Sequence, residues 1–215
     1  MHDLAKGIAR FQREVFPAKQ ELFAHLAAHH APRTLFIGCS DARVVPELIT
    51  GCEPGELFVI RTAGNLVPAF TLGADGIAAS IEYAVAQLGV TDVVVCGHSA
   101  CGAMTALADG HDLSGAPAVA HWLRLADASV ARTGTAGDVP ALVRQNVLAQ
   151  LANLATHPSV ARALAERMVT LHGWVFDIAT GRVEELTATG DAGAPTAATH
   201  GEKLAAVGDA APLAA

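Results

Sequence analysis

Residues 93–103, which read V-V-V-C-G-H-S-A-C-G-A, decide how the rest of the chain is interpreted. Three consecutive valines predict a short buried strand, and Gly97 interrupts the apolar run. His98 and Cys101 follow with the spacing H-x-x-C, on the turn that is predicted to leave the strand. An imidazole and a thiol at this spacing can bind the same metal ion. The stretch therefore predicts part of a metal site.

A third metal ligand is expected from Cys39, which lies just past the apolar run T-L-F-I-G at residues 34–38. With His98 and Cys101 it would form a Cys2His set that leaves one coordination position open. Structural zinc sites usually fill all four positions with protein ligands, whereas catalytic sites keep one for water or substrate. The set therefore predicts a catalytic centre with one Zn²⁺ per chain.

Short apolar runs that alternate with helical patterns predict an α/β fold with a mainly parallel central β-sheet flanked by helices. Strands are predicted at residues 34–38, 57–61 and 92–96, and a C-terminal antiparallel hairpin at about 171–178 and 182–187. Functional groups in such sheets gather at the carboxyl ends of the strands. Cys39 and His98 are therefore expected at the same edge.

An N-terminal helical arm is predicted from an apolar stripe with helical spacing at Leu4, Ile8, Phe11 and Val15. Pro17 interrupts this helix, and a second helix ends before Pro32. The arm either packs on the sheet or reaches across to a partner chain.

Further helices are predicted at residues 46–49, 74–88, 119–125, 139–154 and 158–168. Residues 1–187 are expected to form a single catalytic domain, and the Ala/Gly-rich residues 188–215 a flexible tail.

The composition excludes several classes of partner. The chain of 215 residues carries a net charge of -7 and has no basic cluster, so nucleic acid is not an expected partner. No apolar run approaches the roughly 20 residues of a membrane-spanning helix. Without the apolar core of a signal peptide at the N-terminus, the chain is expected to be cytoplasmic. The two remaining cysteines, Cys52 and Cys96, lack ligand spacing and are interpreted as small buried hydrophobes.

Two charged side chains follow Cys39 in the sequence C-S-D-A-R. Arg43 can bind Asp41 through a charge-assisted pair that keeps the carboxylate ionised and aimed. Asp41 could then accept a hydrogen bond from a zinc-bound water and orient it. Alternatively, Asp41 could move onto the zinc as a fourth ligand and close the site. The residues alone leave both alternatives open.

The motifs C-S-D-A-R-V, R-T-A-G-N and H-S-A-C-G-A, in this order, resemble the signature of the β-class carbonic anhydrases. The resemblance extends through I-E-Y-A-V-A-Q-L-G-V at residues 81–90 and the late strand H-G-W-V-F-D-I. It implies a zinc enzyme that converts carbon dioxide to bicarbonate and a proton, and back, by attack of zinc-bound hydroxide on CO2. It also implies a homodimer or homotetramer whose N-terminal helices embrace the partner.

The resemblance also assigns individual residues. Cys39, His98 and Cys101 match the zinc ligands of the family, and Asp41 and Arg43 match its catalytic pair. The substrate-binding residues that it implies are Gly102, which lets the backbone approach the substrate, and two candidate walls of an apolar pocket, Val67 and Tyr83.

Three functions remain to be compared on the sequence alone. The first is carbonic anhydrase activity, and the second keeps the metal site but acts on another linear molecule such as CS2 or COS. The third is a non-catalytic zinc or bicarbonate sensor held in the closed state. A phosphatase is disfavoured because the arginine follows Cys39 too soon for a C-x5-R loop. Arg61 and Asn65 either contact substrate or only shape their loop.

Overall fold

Five strands form one sheet in the computed structural model, which describes residues 4–73, 75–134 and 136–186. The strand order is β2-β1-β3-β4-β5, in which β1 to β4 run parallel and β5 is antiparallel to β4. The predicted α/β fold with a C-terminal antiparallel hairpin is therefore confirmed. The proposed tail at 188–215 lies outside the described residues. The strands are β1 Thr34–Cys39, β2 Leu57–Thr62, β3 Asp92–His98, β4 Thr170–Phe176 and β5 Val183–Leu186.

Helices flank the sheet, and the longest of them packs across β3 and β4. No helix in the described part of the chain is long and apolar enough to cross a membrane. The helices are α1 Leu4–Arg10, α2 Gln20–Leu26, α3 Pro46–Thr50, α4 Gly76–Glu82, α5 Gly102–Ala108, α6 Pro117–Leu123, α7 Asp127–Thr133, α8 Val139–Leu154 and α9 Pro158–Ala165.

The strand registers bring the carboxyl ends of β1, β2 and β3 to one edge of the sheet. Cys39 lies opposite Thr62 of β2, and Gly38 lies opposite Cys96 of β3. Strand β3 runs two residues further than predicted, because His98 still pairs with Phe176 of β4. His98 is thus the last residue of a strand and does not lie on the following turn. Its ring is thereby fixed by the sheet.

Two glycines allow α8 to lie close to the sheet. A Cβ on Gly97 would lie 2.8 Å from Val147 Cγ2, and a Cβ on Gly173 would lie 2.9 Å from Leu151 Cδ1. Contacts this short exceed what packed side chains tolerate, so only glycine fits at both positions without rearrangement. The close approach lets side chains of α8 reach the loops at the carboxyl edge of the strands.

The predicted and observed helices differ in their bounds and in number. The helix predicted at residues 74–88 begins later, at Gly76, because the Asp75 side chain caps it by accepting from the N–H of Ile77 at 2.9 Å. Its last part, Tyr83–Gln87, is a π-helical turn. Helix α7 was not predicted; it is short, and Gly134 terminates it in a left-handed conformation with φ 69°.

The N-terminal arm leaves its apolar stripe exposed. Within this chain the sheet does not cover the stripe, since Leu4 is 70% exposed and Ile8 is 60% exposed. A 3-10 turn at Pro17–Lys19 separates α1 from α2, as the proline predicted. Lys19 forms an ion pair with Glu53, which ties the second half of the arm to the domain. The first half has an apolar surface of the kind that a partner covers.

Candidate metal centre

Three predicted ligands meet at the carboxyl edge of the sheet. The ligand atoms of Cys39, His98 and Cys101 all lie within 4.8 Å of one another, and all three residues are buried. Cys39 ends β1, His98 ends β3, and Cys101 immediately precedes α5. Two thiols and an imidazole at this separation can bind one tetrahedral zinc ion with a coordination position left over.

The His98 ring is oriented for metal binding. Its Nδ1 lies 2.9 Å from the carbonyl oxygen of Ser99, to which an Nδ1–H group donates. Its Nε2 is buried and has no hydrogen-bond partner within residues 4–73, 75–134 and 136–186. A buried nitrogen lone pair without a partner is costly, and a metal ion at this position removes that cost. The orphaned Nε2 therefore fits a zinc ligand.

The surroundings of the two sulfurs favour a thiolate. A hydrogen bond from the Cys101 thiol lowers the pKa of Cys39 to about 4, and the backbone N–H groups of Asp41 and Gly64 act in the same direction against burial. The same contact raises the pKa of Cys101. By contrast, burial alone raises the pKa of Cys96 to about 12, so that this thiol stays neutral. Zinc binds thiolates, so the chemistry of the cluster suits the metal.

The turn between His98 and Cys101 holds a strained residue. Ala100 has φ 53°, a left-handed conformation that costs a residue with a side chain on the order of 1–3 kcal/mol. This conformation reverses the chain between the two ligands. The carbonyl oxygen of Ala100 accepts a hydrogen bond from Arg43 Nη2 at 3.0 Å. The strained turn is therefore tied to the charged pair beside the metal centre.

Asp41 and Arg43 form a two-pronged ion pair. Arg43 Nε donates to Asp41 Oδ1 at 2.9 Å, and Nη2 donates to Oδ2 at 2.7 Å. The backbone N–H of Arg43 also donates to Oδ1 at 2.9 Å. These donors hold the pKa of Asp41 well below its usual range. Asp41 Oδ2 lies 3.8 Å from His98 Nε2, so an ionised carboxylate faces the metal centre.

Arg61 shapes the turn that carries this pair. Its guanidinium donates to the carbonyl oxygens of Cys39 at 3.0 Å, Asp41 at 2.6 Å and Val44 at 2.7 Å. Backbone carbonyl oxygens on an irregular segment need hydrogen-bond donors. Here one planar guanidinium donates to three such oxygens. Of the two alternatives left open by the sequence, these contacts favour loop shaping for Arg61.

The three predicted substrate residues lie in different environments. The space where a Gly102 side chain would lie is open: apart from its own helix and chain neighbours, no atom in the described part of the chain comes within 4 Å of an added Cβ. Val67 is fully buried in the core. Tyr83 is 46% exposed, and its ring centroid is 6.0 Å from that of Phe58. The two candidate walls of the pocket thus differ in exposure, and their contact with substrate stays a prediction.

A row of polar side chains on α8 was not predicted from the sequence. Asn146, Gln150 and Asn153 recur at i, i+4 and i+7, and the first two are almost completely buried. Their spacing was a detectable signal, because amides at helical intervals beside a predicted apolar face indicate buried hydrogen bonds. The apolar positions of the same helix, which recur at the same intervals, are the stronger signal.

Comparisons with known proteins agree with this geometry. The sequence profile of the family described as "Carbonic anhydrase" matches residues 34–183. The chain is 56% identical over 192 residues to a carbonic anhydrase of Pseudomonas aeruginosa, covering 86% of this chain and 87% of that protein. It is 50% identical over 189 residues to carbonic anhydrase 1 of Escherichia coli O157:H7, covering 85% and 86%.

Solved structures of β-carbonic anhydrases also resemble the chain in fold. The β-carbonic anhydrase CcaA matches with a TM-score of 0.81 and 37% identity, covering 85% of this chain and 92% of that one. One of two tetrameric β-carbonic anhydrases from Sordaria macrospora matches with a TM-score of 0.76 and 32% identity, covering 85% and 94%. These likenesses, and the cluster of two sulfurs and one imidazole that the fold assembles, show that the chain belongs to the β-class carbonic anhydrases, which use one zinc ion per chain to interconvert carbon dioxide and bicarbonate.

Proposed function

We propose that Asp41 and Arg43 are the catalytic pair of this carbonic anhydrase. Zinc held by Cys39, His98 and Cys101 supplies Lewis acidity, which makes water a nucleophile near neutral pH. The observation that carries the proposal is the ionised Asp41 carboxylate 3.8 Å from His98 Nε2, held by three donors of Arg43. The pair faces the metal ligands.

The role of Asp41 follows from its charge. An ionised carboxylate only accepts hydrogen bonds, so Asp41 binds a molecule that donates, such as water, and disfavours one that does not. It thereby orients the attacking water toward CO2. Arg43 occupies both carboxylate oxygens and so fixes the direction of the remaining lone pairs. Because its tether to Cys39 is short, we also propose that Asp41 can leave Arg43 and become the fourth zinc ligand in a closed state.

The substrate pocket is proposed to include Gly102, Val67 and Tyr83. Gly102 follows a metal ligand directly, and open space beside it can admit a small linear molecule. Val67 would supply an apolar wall from the loop after β2. Tyr83 lies exposed beside Phe58, so a second copy of the chain would complete its side of the pocket.

Replacement of Arg43 by Lys tests the catalytic pair. Lysine keeps the charge but cannot form the two-pronged contact, so Asp41 loses its fixed direction. We expect kcat/KM for CO2 hydration to fall about 10- to 100-fold at unchanged zinc content, the usual effect of losing a partner outside the ligand shell. Stopped-flow assays of the zinc-loaded protein measure the change.

A matched control is Arg144→Lys. Arg144 forms the same kind of contact with Glu184, with Nε–Oε1 at 3.1 Å and Nη2–Oε2 at 2.7 Å, on the surface between α8 and β5. This variant should hydrate CO2 at the wild-type rate. Wild-type kcat/KM in the Arg43 variant would exclude Arg43 from the catalytic pair.

We further propose that the chain forms a homodimer or homotetramer through its N-terminal arm. The exposed apolar side chains of Leu4, Ile8 and Phe11 support this proposal, as does the tetrameric state named for the Sordaria structures. A cytoplasmic location is supported by the four free cysteines, since a reducing compartment keeps thiols available to zinc.

A double substitution, Ile8→Asp with Phe11→Asp, tests the arm. Two charges on the stripe would have to be buried without partners in an interface, so we expect the oligomer to dissociate. Light scattering after size-exclusion chromatography measures the mass. Leu72→Asp is the control, because Leu72 is 96% exposed and lies off the arm. An unchanged mass in the double variant would show that the arm does not hold the oligomer together.

A further inference from the structure

Ser99, which lies between the ligands His98 and Cys101, forms hydrogen bonds through each of its polar groups. Its carbonyl oxygen accepts from His98 Nδ1 at 2.9 Å. Its backbone N–H donates to the carbonyl oxygen of Phe176 at 2.9 Å, and its hydroxyl oxygen accepts from the N–H of Ile178 at 2.9 Å. One side of Ser99 therefore holds a metal ligand, while the other side is held by the C-terminal hairpin.

The two bonds to the hairpin extend the sheet past the end of β3. Strand β3 ends at His98, which lies opposite Phe176 in the parallel ladder. The N–H of Ser99 continues that ladder by one residue. Ile178 lies beyond the last residue of β4, and the hydroxyl of Ser99 accepts from its N–H as a backbone carbonyl oxygen does within the ladder. A residue without a hydroxyl at position 99 would keep the first bond and lose the second.

The turn of the hairpin is closed by hydrogen bonds of its own. The N–H of Asp177 donates to the carbonyl oxygen of Arg182 at 2.8 Å, and the N–H of Gly181 donates to the carbonyl oxygen of Asp177 at 2.9 Å. The N–H of Thr180 donates to Asp177 Oδ1 at 2.8 Å. None of these three bonds uses an atom of Ser99. The turn therefore gives Ser99 a defined place to attach.

The bond from His98 Nδ1 decides which ring nitrogen faces the metal. An Nδ1–H group that donates to the carbonyl oxygen of Ser99 leaves the lone pair on Nε2, the nitrogen that lies 3.8 Å from Asp41 Oδ2 at the metal centre. Partners outside the ligand shell fix the tautomer and the orientation of a zinc-binding histidine. The direction of the Ser99 carbonyl therefore affects how well His98 binds zinc.

The same carbonyl belongs to the peptide group that precedes the strained Ala100. A left-handed residue such as Ala100, with φ 53°, persists only where the surrounding contacts hold it. Rotation of the peptide between Ser99 and Ala100 would relieve the strain and turn the carbonyl away from His98. The two hairpin bonds oppose this rotation on one side. The bond from Arg43 Nη2 to the Ala100 carbonyl oxygen opposes it on the other.

We propose that Ser99 is a positioning residue for the zinc ligand His98, and that it makes the C-terminal hairpin a support of the metal site. Its N–H and hydroxyl attach the turn between the ligands to the hairpin, and its carbonyl orients the His98 ring. Ser99 is not one of the clustered ligand residues, so it acts through His98. The proposal rests on the zinc site but not on the proposed roles of Asp41 and Arg43.

Ser99→Ala tests the proposal, because it removes the hydroxyl and leaves the backbone N–H and carbonyl in place. We expect the dissociation constant for zinc to rise about tenfold, the lower end of the effect of losing a partner outside the ligand shell. Competition between the metal-free protein and a chromophoric chelator measures this constant. In the cobalt-substituted protein, the visible ligand-field bands, which report coordination geometry, should differ from those of wild type.

Hydrogen exchange of the metal-free variant checks the contact itself. In Ser99→Ala the N–H of Ile178 loses its acceptor, so it should exchange faster than in wild type. The N–H of Gly181 keeps the carbonyl oxygen of Asp177 as its acceptor and should exchange at the wild-type rate. An unchanged rate at Ile178 would show that the hydroxyl does not hold the hairpin, and the proposal would fall.

A pair of variants with matched shapes isolates the hydroxyl. Ser99→Thr keeps a hydroxyl, whereas Ser99→Val has the same shape without one, so the threonine variant should bind zinc about tenfold more tightly. This pair also carries the test if Ser99→Ala does not fold. Ser114→Ala is the control elsewhere in the chain: it removes a serine hydroxyl that donates to Asp112 Oδ2 at 3.0 Å, outside the metal cluster, and should keep wild-type zinc affinity.

Two further results would overturn the proposal. One is wild-type zinc affinity in a folded Ser99→Ala protein. The other is equal zinc affinity in Ser99→Thr and Ser99→Val, which would show that the bond from the hydroxyl to the hairpin has no effect on the metal site. Zinc affinity and the cobalt spectrum are measured without turnover, so failure here is distinct from failure of the proposed catalytic pair.

Discussion

Replacement of Cys39 by Ser will remove stoichiometric zinc and lower the rate of CO2 hydration by about a thousandfold or more. A serine hydroxyl stays protonated near neutral pH and is a poor zinc ligand, so only His98 and Cys101 remain. Loss of the metal removes several kcal/mol of transition-state stabilisation, and every 1.36 kcal/mol is tenfold in rate. Elemental analysis of the purified protein and stopped-flow hydration assays measure the two effects together.

Cys52→Ser is the control for this substitution. Cys52 is half-buried outside the metal cluster, so its variant should retain one zinc per chain and wild-type turnover. Both proteins should give the same circular dichroism spectrum if Cys39→Ser leaves the sheet intact. Retention of zinc and activity by the Cys39 variant would exclude Cys39 as a ligand.

Replacement of Asp41 by Asn will lower kcat/KM for CO2 hydration by about 100- to 1,000-fold while zinc stays bound. The asparagine has the same shape but no charge, so it loses the charge-assisted contacts with Arg43 and no longer has two accepting oxygens. Positioned acid–base groups typically contribute about 10²- to 10⁴-fold to rates, and orientation of water belongs in the lower part of that range. Stopped-flow assays with parallel zinc analysis measure the change.

The pH profile provides a second expectation for Asp41. Arg43 lowers the pKa of this carboxyl, so the ionised form persists below the usual value of about 3.9 and is lost only in stronger acid. Between pH 6.5 and 9 the wild-type profile should therefore contain no inflection from Asp41. Asp41→Asn should reduce the rate by the same factor across this range, because the residue is fully ionised throughout.

Asp112→Asn is a matched control. Asp112 Oδ1 accepts from the N–H of Ser114, two residues later, at 2.9 Å, just as Asp41 Oδ1 accepts from the N–H of Arg43. It belongs to no metal cluster in the described part of the chain. A wild-type rate in Asp41→Asn, or an equal loss in Asp112→Asn, would contradict the proposed role of Asp41.

Local patterns predicted the centre of the fold and the metal ligands. Strands β1 and β3 are continuous apolar runs, which a sheet buried on both faces requires, and each carries a ligand at its end. Because parallel strands end at the same edge, the sequence alone was enough to place Cys39 and His98 together. The spacing of Cys101 from His98 then completed the set.

Long-range contacts account for what the sequence did not predict. The three carbonyl partners of Arg61 lie 17 to 22 residues away in the chain, and Asn146, whose Nδ2 donates to the carbonyl oxygen of Gly64, lies 82 residues from that glycine. Periodicity reports which face of a helix is apolar, but it does not report which loop a buried amide will reach. The substrate residues were harder still, because Tyr83 is exposed in the single chain and its proposed pocket needs a partner.

The extent of α4 shows a related limit. An apolar stripe predicted a helix from residue 74 to 88, whereas the structure has an α-helix capped by Asp75 that continues into a π-helical turn. A cap residue was visible in the sequence and could have set the start. The change from α- to π-helical hydrogen bonding depends on packing and has no such local signal.

The most direct test of this account is a zinc titration of chelator-treated protein, followed by stopped-flow CO2 hydration. We predict that the metal-free chain is inactive, and that activity rises linearly with added zinc and saturates at one ion per chain. Turnover in the metal-free protein, or saturation that requires a different number of zinc ions, would contradict a single catalytic zinc held by Cys39, His98 and Cys101.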